Sequence, residues 1–200
     1  MGGNSTEKRK LILSNAEQIF IRRGFNGVTM KDIIEESDIS RGGLYLYFSS
    51  VDEIFIEVIK AHNQANLEQT ISNAQNTDFK IMLDNYFETQ KKRLLHMENS
   101  LLLAMFEFYI AHKNEADKDF FTESFDNINN TVLEILIHGV KEGLLNNDDA
   151  PILASNIMYC IKGLETQAMS IGVSENLIDS QFDFYKKLIY TDEEDLSNEK

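Results

Sequence analysis

Arg41, Gly42, Gly43, Tyr45 and Tyr47 stand within one seven-residue stretch, and their types suit contact with a polyanion better than catalysis. An arginine fork and two phenolic hydroxyls donate hydrogen bonds to phosphate oxygens or base edges. Two consecutive glycines, lacking Cβ atoms, let the backbone come close to whatever lies opposite. Each costs about 1 kcal/mol against alanine inside a helix, so something other than helix stability must account for the pair. A helix lying in a DNA groove would account for it.

The elements that position these residues can be read from caps and spacing. Thr29 and Asp32 have capping-box spacing, with Asp in the usual place of Glu, and predict a helix to about residue 36. Ser37 and Asp38 form the turn, and Ser40 caps the next helix. Leu44 and Phe48 fall on one face, four residues apart, with Ile33 and Ile39 as further glue. Arg41 and Tyr45 share another face by the same spacing. Upstream, Leu11, Ile12, Ala16, Ile19 and Phe20 predict a helix over 7–24 stopped by Gly24, with residues 1–6 disordered. Lys8, Arg9 and Lys10 at its start either reach a DNA backbone or are simply solvated. Ser50 and Glu53 have capping-box spacing at the start of a helix over 51–74, whose first amides could also hold a phosphate.

Composition narrows the function classes. The chain has 200 residues, 42% of them hydrophobic, with one proline and ten glycines. So few breakers favour helices over short strands. Net charge is −14, which at first argues against nucleic acid. Residues 1–48, however, carry seven basic and six acidic side chains, and the rest carries 12 basic and 27 acidic. The acidity therefore belongs to the body, and DNA repulsion there leaves the N-terminal head as the docking face. A lone cysteine, Cys160, and the absence of a long apolar run predict a soluble cytoplasmic protein without membrane contact. No Walker, Gly-x-Gly-x-x-Gly, Cys-x-x-Cys or His-Glu-x-x-His pattern occurs, and none of His62, His96, His112 and His138 follows a Glu by three residues. Neither an enzyme nor a cofactor is expected.

The body reads as helices over 78–95, 100–112, 117–140, 151–170 and 175–189, followed by an acidic, frayed tail over 191–200. Polar or soft residues among apolar neighbours are candidates for lining a pocket: His62, Gln90, Met105, Tyr109, Asn130, Tyr159 and Gln167. Glu107 and Glu165 lie in apolar helical runs. They either neutralise a bound cation or are hydrogen-bonded within the protein.

Phe20, Gly24-Phe25, Thr29, Ile33, Ser40, Gly43, Leu44, Tyr45, Tyr47 and Phe48 stand at the spacing of the TetR family of bacterial transcriptional regulators, which residues 7–60 resemble. The resemblance implies an all-α protein with a helix-turn-helix DNA-binding head over 1–50 and a helical effector-binding and dimerisation body over 51–190. It implies double-stranded operator DNA as partner, a homodimer held by the last two long helices, and a small lipophilic effector. Arg41 would read a base, Lys31 could do so from the preceding helix, and Gly42 and Gly43 give access. Thr29, Ser40, Tyr45, Tyr47 and Ser50 would hold the backbone. For the dimer, Ile152, Ala154, Ile157, Ile161, Leu164 and Ala168, with Phe182, Tyr185, Leu188 and Ile189, make the expected stripes. Three positions depart from the family pattern: Asp38 stands where Gly is common, Ile34 where Ala is common, and Val51 where Lys is common. The competing reading is a DNA-binding or adaptor protein with a solid body and no effector.

Overall fold

The computed structural model describes residues 2–74, 77–97, 100–114 and 117–198. Among them are α1 (Gly2–Arg23), α2 (Met30–Ser37), α3 (Arg41–Tyr45), α4 (Val51–Ala74), α5 (Phe79–Leu95), α6 (Leu102–Ala111), α7 (Lys118–Lys141), α8 (Ala150–Ile171) and α9 (Glu175–Asn198), and no strand. The all-α expectation holds. At two places helix replaces expected disorder: α1 begins at Gly2, and α9 runs on through 191–198. Neither segment contains a proline, and past Gly3 neither has a glycine to stop propagation.

The chain forms two compact units, Met1–Asn63 with Met97–Ser124, and Gln64–His96 with Phe125–Lys200. Both α4 and α7 contribute turns to each. The first unit thus joins α6 to the three-helix head, a grouping that the division at residue 50 does not anticipate.

The first unit is built on an aromatic core. Phe20 meets Phe55 edge-on at 4.9 Å, Phe25 meets Phe108 edge-on at 4.9 Å, and Phe55 lies 4.8 Å from Phe108. Such pairs contribute about 0.5–1.5 kcal/mol beyond the area they bury. Ile12, Ala16, Ile19, Ile33, Leu44 and Phe48 complete the core at 1% exposure or less. Gly24 ends α1 at φ +70°, where an L side chain is strained. A second reason for glycine is that α6 sends Glu107 onto this turn. Its Oε2 accepts the Asn26 N–H at 2.8 Å, and a Cβ on Gly24 would stand 2.5 Å from that oxygen.

In the second unit, α5, the later turns of α7, α8 and α9 bury Phe79, Leu83, Phe87, Leu136, Ala154, Ile157 and Phe182, with Phe87 stacked on Phe182 at 4.6 Å. Here the expected dimer stripes require correction. Ala154, Ile157, Ile161, Leu164 and Ala168, and likewise Phe182 and Ile189, are buried within the protomer's own core, because α5 and α7 already cover that face. The outward line on α8 is Ile152, Asn156, Tyr159, Gly163, Thr166 and Ser170. Exposed Phe184 and Leu188 lie on α9, and Tyr185 ties the two helices by donating to the Asn156 carbonyl at 3.1 Å.

Gly24→Ala is expected to lower stability by about 1–2 kcal/mol from the left-handed conformation alone, with a further loss from the displaced Glu107 carboxylate. Urea unfolding compared with Glu107→Ala checks this. A neutral Gly24→Ala would mean that the turn relaxes without cost.

Candidate nucleic-acid interface

A five-residue helix cannot stand alone, since nucleation costs more than one turn returns, so α3 is held from both ends. Thr29 caps α2 with the full reciprocal box. Its hydroxyl oxygen accepts the Asp32 N–H at 3.3 Å, and the Asp32 carboxylate accepts the Thr29 N–H at 2.8 Å. Asp38 then turns the chain in the left-handed region at φ 49° and ψ 46°, a conformation that Asp visits more readily than most residues. This absorbs the departure from the family's glycine. Ser40 caps α3 by accepting the Gly43 N–H at 3.1 Å. Leu44 and Phe48 pin the inner face at 0% and 1% exposure.

What remains outward is the candidate interface. The Arg41 guanidinium carbon lies 5.7 Å from the Tyr45 ring centroid, so the ring restrains the fork while its donors face outward. Gly42 has open space where a Cβ would stand, and nothing in the protein requires a glycine there. At Gly43 the Cβ would meet Ser40 Oγ at 3.1 Å, so this glycine also serves the cap. Tyr47 is half-buried and packs on the core beside Phe48. Ser50 caps α4 by accepting the Glu53 N–H at 3.1 Å, but Glu53 returns its carboxylate to the N–H and hydroxyl of Ser49, each at 2.7 Å. The box closes one residue earlier than spacing alone suggests.

Hydroxyl bookkeeping separates the phosphate candidates. The Thr29 hydroxyl already donates to Asp32 at 2.5 Å and has no proton to spare. Ser40 and Ser50 use only an oxygen lone pair in capping, so each keeps a donor. The basic residues divide in the same way. Arg9 pairs with Glu57 at 2.5 Å and lies over Phe48, Arg22 pairs with Glu36 at 2.8 Å, and Arg23 with Asp32 at 2.7 Å. Lys31 stands 3.5 Å from Glu35 with its side chain 83% exposed, a surface pair that constrains it little. Among the described residues Arg41 enters no carboxylate pair.

Leu46 was not anticipated. At 83% exposure it is the most exposed large apolar side chain in the head, beside Tyr45, and suits apolar contact with a thymine methyl. Its place between two tyrosines was the available signal.

The seven pocket candidates divide between the two units. His62, Met105 and Tyr109 fall in the first unit and Gln90, Asn130, Tyr159 and Gln167 in the second. His62 is paired with Glu17 at 3.0 Å, Tyr109 packs edge-on against Phe121 at 4.9 Å, and Asn130 and Tyr159 are exposed. Gln167 donates to the Gly172 carbonyl at 3.5 Å. Only Gln90 keeps a buried polar atom without a protein partner, its Oε1. Both acids singled out from the sequence are engaged within the protein, Glu107 at the Asn26 N–H and Glu165 with Arg93 and Lys162.

The Thr29 hydroxyl and N–H, with Arg23 beside them, hold the Asp32 carboxyl below the usual carboxylate range, and the Ser49 N–H and hydroxyl do the same for Glu53. A depressed folded-state pKa contributes stability that is present above the unfolded value and lost as pH falls through the folded one. Stability of the head is therefore expected to drop as pH falls from about 5 towards 2. Thr29→Ala should cost about 1 kcal/mol near neutrality and flatten that dependence, as urea titrations at neutral and acid pH would reveal. Parallel pH profiles for the two proteins would contradict this role.

Residues 12–58 match the family model for bacterial regulatory proteins of the tetR family, and residues 82–189 match that for the tetracyclin repressor-like C-terminal domain. Among curated proteins, an HTH-type transcriptional regulator of Bacillus subtilis, YfiR, is 31% identical over 133 residues, covering 66% of this chain and 65% of its own. The HTH-type transcriptional regulator QacR of Staphylococcus aureus is 24% identical over 174 residues, covering 83% and 88%. Among solved structures, reduced Escherichia coli NemR superposes with a TM-score of 0.73 at 16% identity, covering 92% of this chain and 97% of that one. A transcriptional regulator from Saccharomonospora viridis, solved with choline, gives 0.68 at 23% identity, covering 90% and 95%.

Proposed function

This chain belongs to the TetR family of bacterial regulatory proteins, which are DNA-binding transcriptional regulators, and we propose that it acts as a homodimeric repressor released from its operator by a small effector. The observation that carries the reading is the outward surface of α3. Two buried anchors, Leu44 and Phe48, leave Arg41, Gly42, Tyr45 and Leu46 exposed on a capped helix whose glycine at 42 has no internal purpose. Arg41 reads a base edge in the major groove, a guanine being its best geometric match. Gly42 lets the backbone approach, Leu46 contacts a thymine methyl, and Tyr45, Tyr47, Ser40 and Ser50 hold phosphates. Lys31 adds a contact from α2. Thr29 works through the cap rather than by its hydroxyl.

Two heads with this geometry fit half-sites a helical turn of roughly 34–36 Å, or a multiple, apart. The outward line of α8 with Phe184 and Leu188 of α9 is the face through which a second copy docks. Gly163, Thr166 and Ser170 allow the close approach of helix axes that such a contact needs. As a transcriptional regulator of this family it works in the cytoplasm. Effector coupling is supported by Glu107, through which α6 holds the Asn26 amide, two residues past Gly24 at the end of α1. A ligand that moves α6 acts directly on the seat of the head.

Arg41→Ala is expected to lose about 1–3 kcal/mol of discrimination at one operator position, measured by quantitative band shift against operator variants. Gly42→Val should weaken DNA binding while leaving helicity and thermal unfolding intact; it is a cleaner probe than Gly43, which also serves the cap. Unchanged affinity would rule out close backbone approach. Tyr159→Asp, on the exposed face, should convert dimer to monomer in sedimentation. Equal affinity of the parent protein for operator and scrambled DNA would rule out the regulator reading. If no compound in a broad library altered operator binding, the effectorless alternative would stand.

A further inference from the structure

The second unit contains a buried ion cluster that α5 and α8 assemble. Glu165, at 1% exposure, receives Arg93 on Oε1 and Lys162 on Oε2, the latter at 2.8 Å. The Tyr86 hydroxyl lies within the fields of Arg93 and Glu165, and the Phe125 ring stands 5.9 Å from the Lys162 ammonium. Among the described residues Glu165 is the one carboxylate paired with Arg93 and Lys162, so two cations share one anion. Such a surplus is costly away from water unless another negative group shares the site. Burial accordingly pushes the Lys162 ammonium below its ordinary range, against the pull of Glu165.

Two further atoms point the same way. The Nε of Arg93 is buried without a protein acceptor, and Gln90 Oε1, three residues earlier on α5, is buried without a protein donor. The Arg93 side chain as a whole keeps 33% exposure, so the cluster can be approached from outside. Around it the same two helices bury Phe87, Leu94, Ile161 and Leu164, packed apolar side chains between which an apolar tail would have to insert. Neither a cationic nor a neutral ligand would relieve the surplus.

We propose that this cluster is the head-group subsite for the effector, and that the effector is an amphiphilic carboxylic acid bound as its anion. The carboxylate takes Arg93 Nε–H and the Lys162 ammonium, and the Tyr86 hydroxyl is a third donor within reach. Glu165 holds both cations in position and limits how tightly the anion binds. Gln90 Oε1 accepts a hydroxyl or amide N–H where the acid carries one beside its carboxylate. The assignment rests on the effector reading above and names its chemical class.

The test is calorimetry on the full-length protein with three probes of equal chain length: decanoate, 1-decanol and decyltrimethylammonium. Decanoate is expected to bind at least about tenfold more tightly than either of the others, the scale of one charged hydrogen bond. Arg93→Met and Lys162→Met should each remove most of that preference. Since removing a cation strands Glu165, the decisive variant is Glu165→Gln, which relieves the competition and should tighten decanoate binding several-fold. A purely structural cluster gives Glu165→Gln unchanged or weaker binding. That result, equal binding of the three probes, or no binding of decanoate overturns the assignment. If other compounds still release the operator, the effector reading survives it.

Discussion

Everything the head can do depends on Leu44 and Phe48 being buried beneath α3. A helix of five residues has no stability of its own, and two of its five residues here are glycines. The side chains that pin it, the Ser40 cap above and the Thr29–Asp32 box behind it, replace the missing helix propensity. Because the anchors and caps face inward, Gly42 can be kept where alanine would make a better helix. The proposed groove wall would occupy the open space that a Cβ at Gly42 would otherwise fill.

Charge follows the same division between inside and outside. The head's arginines at 9, 22 and 23 are spent on Glu57, Glu36 and Asp32, fastening α1 to α2 and α4. Arg41, which among the described residues is held by the Tyr45 ring alone, carries the proposed recognition. With Val51 in the family's lysine position, the proposed backbone grip falls to hydroxyls and to the first amides of α4. In the second unit charge is drawn inward instead, and Glu165 serves two cations at once.

Local signals were legible where local chemistry decides the outcome. The Thr29 cap, the Asp38 turn, the Ser40 cap and the Leu44/Phe48 face depend on residues within four positions of one another, and spacing revealed them. Ser50 caps α4 as read, while the Glu53 carboxylate takes the Ser49 amide because it can reach either of two adjacent amides. Long-range facts were not legible. The α8 stripe looked like a dimer face because an apolar periodicity does not say which neighbour covers it; α5 and α7 do, leaving Tyr159 and Gly163 outward. Arg93 and Glu165 are 72 residues apart, and each alone reads as a surface charge. Polarity within an apolar run is equally silent about partners: Glu107 and Glu165 are engaged by groups far away in sequence.

Dimethyl sulfate footprinting on a bound operator addresses the central claim most directly, because the reagent methylates guanine N7 in the major groove and adenine N3 in the minor groove. The account predicts protection of a guanine N7 in each half-site, with the two sites about one helical turn or a multiple apart, and loss of that protection in Arg41→Ala. Protection confined to adenine N3, or guanine protection that persists in Arg41→Ala, would contradict it.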